Sequence, residues 1–106
     1  MTPTQRSIAY LKAEGYTVAI VEHWNHFARI RQDLFGFIDL LAIRKGETMA
    51  VQVTASGVSA RLKKIMDHPN LSVVRDCGWR IEIHGWRKSA AGRYVQRIID
   101  VPCLEW

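Results

Sequence analysis

A small α/β fold, with helices flanking a mixed central sheet, follows from three features of this 106-residue sequence. Two apolar runs, residues 36–43 and 49–54, are separated by a short polar turn, as in a pair of buried strands. Helical patterning lies on either side of them, before residue 15 and after residue 56. Strict alternation then sets Trp79, Ile81 and Ile83 against Arg80, Glu82 and His84, the signature of a strand. The element order reads α-β-β-β-α-(α)-β-β.

Ile8, Leu11 and Tyr10 give the first helix its apolar side, with Thr4 or Ser7 able to cap its start. Gly15 suits the left-handed residue just past its end. Residues 17–21 are rich in β-branched side chains and form the first strand. Residues 22–33 carry two His, one Trp and two Arg and read as a polar connection. After the strand pair, Ser56 or Ser59 caps a helix with Val58, Leu62, Ile65 and Met66 on one side. Arg61, Lys63 and Lys64 fall mostly on the other. Pro69 stops this helix, because the residue before a proline resists helical geometry. Asn70 opens a further short helix over Leu71, Val73 and Val74 that Gly78 ends. Strands over residues 79–86 and 94–101 complete the chain.

The length suits one domain over residues 1–106 with a single core. Hydrophobic content of 48% and charged content of 24% are those of an ordinary globular protein, which excludes a disordered or fibrous chain. A net charge of +5 and a pI near 9.6 favour a polyanionic partner. No apolar stretch approaches the roughly 20 residues needed to span a bilayer. The first residues lack a signal-peptide pattern, so a cytoplasmic protein is expected. Cys77 and Cys103 have no metal-ligand spacing and are expected to be buried, reduced thiols.

Asp39 interrupts an apolar strand, and a buried carboxylate is costly unless a metal ion or cation neutralises it. Gln52 and Thr54 share one face of the neighbouring strand. The Asp39 carboxylate, the Gln52 side-chain oxygen and the Val53 backbone carbonyl could together hold a hard divalent cation. Mg²⁺ needs only one or two carboxylates because it keeps several waters. A water acidified on such an ion can attack a phosphodiester. The competing reading is a strand Asp paired with a nearby Arg.

The run Gly36-Phe37-Ile38-Asp39-Leu40, a short turn, and Met49-Ala50-Val51-Gln52-Val53-Thr54 resembles the core motif of the PD-(D/E)XK nuclease superfamily. Its Holliday-junction resolvase branch is the nearest match, and the resemblance covers roughly residues 7–86. It implies a restriction-endonuclease-like α-β-β-β-α-β core and a Mg²⁺- or Mn²⁺-dependent DNA endonuclease, resolvase-like or structure-selective. Asp39 matches the metal-binding Asp, Gln52 the second acid and Thr54 the lysine, which makes Asp39, Gln52 and Thr54 the implied catalytic set. Gln for Glu removes a charge but keeps an oxygen. Thr for Lys removes a cation, which Lys63 or Lys64 could replace from the following helix. Glu22, after the first strand, and Asp33, before Gly36, are candidates to complete the metal shell. Glu14, beside Gly15, is expected only to end its helix. The alternative is an inactive nucleic-acid-binding module on the same fold, and a third option is a protein-interaction domain.

His23 and His26 lie three apart, but two donors fall short of a zinc site. His23, Trp24, His26, Arg29 and Arg31 instead suit contact with a phosphate backbone and stacking on unpaired bases. Lys63, Lys64, Arg80, Arg87 and Lys88 extend the candidate DNA surface, and Arg93 and Arg97 join a basic strip if they share a face with Arg80. Residues 101–106 are apolar for a chain end and are expected to pack on the domain or on a second copy in a homodimer.

Overall fold

The computed structural model describes residues 1–101. Its first helix, α1 (Pro3–Ala13), starts from Thr2, not from Thr4 or Ser7. Thr2 Oγ1 accepts from the Gln5 N–H at 3.1 Å, and the Gln5 side chain accepts from the Thr2 N–H at 2.9 Å. Two otherwise orphaned donors are thereby satisfied reciprocally, which fixes the start of the helix. Ser7 is left one turn inside and fully buried.

Strand β1 (Thr17–Ile20) is followed by a small hairpin of β2 (His23–Asn25) and β3 (Ile30–Gln32), where the sequence suggests only a polar connection. Next come β4 (Leu40–Arg44) and β5 (Glu47–Thr54), then the helices α2 (Val58–Met66) and α3 (Leu71–Asp76), and finally β6 (Arg80–Lys88) and β7 (Tyr94–Asp100). The main sheet has five strands in the order β1-β4-β5-β6-β7. β5 and β6 are parallel and the other pairs antiparallel, so the sheet is mixed. The parallel pair requires a crossover, which α2 and α3 supply.

The strand expected over residues 36–43 begins only at Leu40. Phe35 and Gly36 both take positive φ, 53° and 91°, and turn the chain so that Leu34 pairs with Ile38. A side chain at Gly36 would also collide with the His68 ring, so only glycine fits there. The second helix is preceded by Gly57 with no side-chain cap, in place of Ser56 or Ser59.

α1 covers one face of the sheet, over Leu11, Tyr16, Leu40, Ala42, Met49 and Val51. α2 and α3 cover the other, over Phe37, Ile38, Ala50, Ile65, Leu71, Val74, Ile81 and Ile83. Glu82 and His84, which alternation places on a polar face, are buried under α1. His84 Nε2 meets Glu82 Oε1 at 3.0 Å and Nδ1 meets Ser7 Oγ at 3.0 Å, while Trp86 Nε1 donates to the same hydroxyl at 2.8 Å. Cys77 is an exposed free thiol, not a buried one, because it caps the outer end of α3. Cys103 and the terminal packing expected of residues 102–106 lie outside the described residues. Among the described residues no helix is long and apolar enough to cross a membrane.

Gly85 on β6 faces α2, where an added Cβ would press on Val58 Cγ2 inside van der Waals contact. Gly85→Ala should therefore destabilise the fold by about 1–3 kcal/mol, as overpacking does. Adding Val58→Ala should recover part of the loss in a denaturant titration. Equal midpoints for wild type and Gly85→Ala would show that α2 simply shifts.

A second prediction concerns Glu47, which accepts from Tyr16 Oη at 2.7 Å, Arg44 Nε at 2.6 Å and Arg80 Nη1 at 2.6 Å. These bonds hold its carboxyl down to about 2 from an ordinary 4.5. The stability so gained is complete above pH 4.5 and is lost as the pH falls through about 2. Melting temperatures recorded across that window should fall less steeply for Glu47→Gln than for wild type, and parallel curves would contradict the assignment.

Candidate functional site

Three segments of backbone meet at Asp39, the residue before β4. Its carbonyl accepts from the Val21 N–H and its N–H donates to the Val51 carbonyl, both at 2.9 Å. The first bond continues the β1–β4 register by one residue, whereas the second is offset by one from the Leu40–Val51 pairing, so Asp39 enters β4 as in a bulge, with its side chain beside Gln52. The Leu34–Ile38 bridge, continued by one residue, sets Asp33 opposite Asp39. Directly opposed residues of an antiparallel pair point to the same face. The bridge thus brings Asp33 to Asp39, and the offset entry to β4 brings Asp39 to Gln52.

Gln52 Nε2 donates to Asp39 Oδ2 at 2.7 Å, and the Val53 N–H donates to the same oxygen at 2.8 Å. What Val53 presents to Asp39 is therefore its N–H, while the sequence reading used its carbonyl. Asp39 is 4% exposed and Gln52 3%. Glu22 and Asp33, both half-buried, join them, so that Glu22, Asp33 and Asp39 each offer a carboxylate oxygen within 4.8 Å of the other two. Burial raises the Asp39 carboxyl to about 8, helped by a hydrogen bond with Asp33 and by the charges of Asp33 and Glu22; the Val53 N–H opposes the rise.

The donor set is all oxygen. Gln52 Oε1 is buried and has no hydrogen-bond partner, and an orphaned buried carbonyl oxygen is costly. Three carboxylates and a free amide oxygen suit a hard divalent cation such as Mg²⁺ or Mn²⁺ better than zinc, whose sites are built mainly on nitrogen or sulfur. Among the described residues, no His or Cys joins this cluster.

The cluster opens into a cavity of about 510 Å³ rimmed by Arg31, Arg61, Lys64 and the start of α1 at Thr2, Pro3 and Thr4. Lys64 lines it, whereas Lys63 pairs with Asp67 at 3.5 Å on the outer side of α2. Arg61 is a site residue that the sequence reading left on a solvated face. Its signal was the i, i+3 spacing with Lys64, which puts both on one stripe of the helix. Arg31 Nη1 pairs with Glu22 Oε1 at 3.3 Å and links the hairpin to the cluster. Thr54 also lines the cavity, but its hydroxyl donates to the Ser56 carbonyl and accepts from the Ser56 N–H. Its proton is thus engaged within a turn.

A second cavity, of about 710 Å³, adjoins the first at Ala55 and is lined by Arg87 and Arg97 beside the start of α2. Arg80 is not part of this surface. Its guanidinium meets Glu47, Glu82 and Asp100 at 2.6, 3.3 and 3.4 Å, and it lies on the α1 face. The proposed strip of Arg80, Arg93 and Arg97 fails on parity. Arg97 opposes Gly85, on the α2 side, whereas Arg80 shares its face with Glu82 and His84. Lys88, opposite Tyr94, is exposed and also on the α1 side of β6. His23, Trp24, His26 and Arg29 are exposed on the β2–β3 hairpin.

The chain matches no protein-family model and no curated protein at a significant level.

In metal-free protein the folded state keeps the Asp39 proton up to about pH 8, whereas the unfolded chain releases it near 3.8. The folded form binds more protons across that window, so stability should fall as pH rises through it. With chelator present, Asp39→Asn should flatten the decline in melting temperature between pH 5 and 9. An unchanged slope in the variant would show that Asp39 is not the group being titrated.

Proposed function

We propose that this chain is a metal-dependent DNA endonuclease, resolvase-like or structure-selective, that hydrolyses phosphodiester bonds with Mg²⁺ or Mn²⁺. The observation that carries the reading is the convergence of Glu22, Asp33 and Asp39 beside the orphaned Gln52 oxygen, inside a cavity rimmed by cations. In this reading the mixed sheet, with α1 before it and α2 after the β4–β5 hairpin, is a restriction-endonuclease-like core.

Asp39, Glu22, Asp33 and the Gln52 amide oxygen would hold the ion. When bound, the ion supplies an acidified water and offsets charge on the scissile phosphate. Gln52 Nε2 and the Val53 N–H fix the orientation of the Asp39 carboxylate. Lys64 takes the place of the motif lysine that Thr54 cannot supply, offering from α2 a cation to the pentavalent phosphate. Arg61 stands three residues earlier on the same stripe and steers the backbone into the cavity. Arg87 and Arg97 continue the basic surface past Ala55. A backbone held at several phosphates would release counterions, so binding weakens steeply with salt.

The engaged Thr54 hydroxyl favours one other reading, a nucleic-acid-binding module on the same fold without turnover. Incubation of branched, single-stranded and duplex DNA with Mg²⁺ or Mn²⁺ separates the two. We expect cleavage that Asp39→Ala abolishes and that Lys64→Ala lowers by roughly 10²- to 10³-fold, the scale for losing one charge-stabilising donor. Titration of Mn²⁺ without DNA should give heat with wild type and none with Asp39→Ala. Salt-sensitive DNA binding with neither cleavage nor Mn²⁺ binding would establish the module and end the nuclease reading.

A further inference from the structure

The β2–β3 hairpin stands outside both cores and is unusually apolar for an exposed element. Phe27 at its tip is fully exposed, and Trp24 and Ile30 are each 51% exposed. Leaving such side chains in water forgoes most of the stabilisation their burial would give. A lone two-stranded hairpin is also marginal by itself. This tip is nevertheless ordered locally: Asn25 Oδ1 accepts from the N–H groups of Phe27 and Ala28, both at 3.0 Å, and Arg29 takes a positive φ of 54°. The turn holds Phe27 outward. No acidic residue occurs between positions 23 and 32, so the aromatic surface is set among cations and hydrogen-bond donors.

Register ties this element to the candidate site. Trp24 lies directly opposite Arg31, so their side chains share one face of the hairpin. Arg31 reaches the acidic cavity and pairs with Glu22 there. A ligand that reaches the cluster along this face therefore passes an exposed indole, with a projecting phenyl ring beyond it. The matching chemistry is a polyanion that also presents π-faces. Paired duplex keeps its bases stacked on each other and offers only their edges, whereas unpaired nucleotides offer both charge and ring faces.

We infer that the hairpin is a wedge for nucleic acid with unpaired bases: Phe27 and Trp24 stack on splayed nucleotides at a fork or flap while the adjoining duplex backbone lies along the basic rim. This deepens the nuclease reading and rests on it for the site that the strand is led to. It makes the preferred substrate a junction with single-stranded arms, over both plain duplex and a fully paired branch.

The test uses full-length protein carrying Asp39→Ala in chelator, so that binding is read without metal or cleavage. Fluorescence anisotropy is measured on a splayed fork, a fully paired four-way junction and a duplex, with 2-aminopurine at the fork in a parallel set. The fork should bind at least tenfold more tightly than the duplex, with quenching of 2-aminopurine. Phe27→Ala and Trp24→Ala should each weaken fork binding by roughly 5- to 150-fold, the scale for loss of one stacking platform, and leave duplex binding unchanged. Phe27→Tyr should retain the fork preference and Phe27→Leu should lose it, which separates ring stacking from apolar contact. Because Phe27 is fully exposed, its variants should melt with wild type, which keeps the test independent of the half-exposed Trp24.

Equal affinity for fork and duplex, or an unchanged Phe27→Ala, would overturn the inference. So would hairpin-dependent sedimentation with phosphatidylserine vesicles in place of fork binding, which would make the wedge a membrane contact. Fork stacking with no cleavage by the Asp39-intact protein in Mn²⁺ would uphold the wedge and remove the nuclease. Cleavage indifferent to both hairpin variants would do the reverse.

Discussion

The fold places an acid where it is least welcome and leaves it no way out. Asp39 is bonded through its N–H and its carbonyl to strands on either side, so its backbone cannot rotate without breaking two ladders. The same registers point its carboxylate at Asp33, with Glu22 close by. Two donors, from Gln52 and Val53, serve one of its oxygens. The remaining charge is countered only by protonation, which is why its carboxyl titrates far above the ordinary range. A cluster built only for stability would more readily set the buried Asp39 itself against an arginine. Here the one direct ion pair, from Arg31 to Glu22, is exposed on the arginine side and brings little stabilisation.

The contrast with the other side of the sheet sharpens the point. Under α1, Ser7, His84 and Glu82 form a chain whose residue types are those of a hydrolytic triad. Each member is satisfied, however. The Glu82 carboxylate receives Nε2–H and the Arg80 guanidinium, and Ser7 receives the indole N–H of Trp86. Ser7 and His84 are completely buried, and a nucleophile without access attacks nothing. This network stitches α1 to β6 and is structural. On the α2 side the opposite holds: a cavity, an unpartnered amide oxygen and three carboxylates crowded together. Asp39 and Gln52 are nearly as buried as Ser7 and His84, and satisfaction distinguishes them.

Much of this was legible from the residues, and the failures have physical causes. The meeting of Asp39 with Gln52 follows from two strands joined by a short turn, because that length leaves few registers open. The late start of β4 was not legible. It depends on Phe35 adopting a left-handed conformation, which a phenylalanine does not advertise. The hairpin was missed because its strands have three residues each and their apolar side chains face water, so no periodicity distinguishes them from a loop. Alternation correctly identified β6 but assigned Glu82 and His84 to solvent, since a polar residue under a helix looks the same in sequence as one in water until its partners are known. Arg80 was misplaced for the same reason. Its three acidic neighbours come from β5, β6 and β7 and are up to 33 positions away.

The presence of Gln rather than an acid at position 52 then has a physical logic of its own. A glutamate there would put a fourth carboxylate into the cluster, beside Asp39, and would remove the Nε2 donor that now binds it. The amide leaves one oxygen without a partner and uses its nitrogen on the neighbouring acid, so the cluster carries less repulsion. The consequence is weaker attraction for a divalent ion, since affinity at hard-cation sites rises with ligand charge. An ion held by these side chains would bind more tightly when another anion shares its shell. In the proposed nuclease reading a backbone phosphate would be that anion, and ion and nucleic acid would each strengthen the other's binding by the same factor.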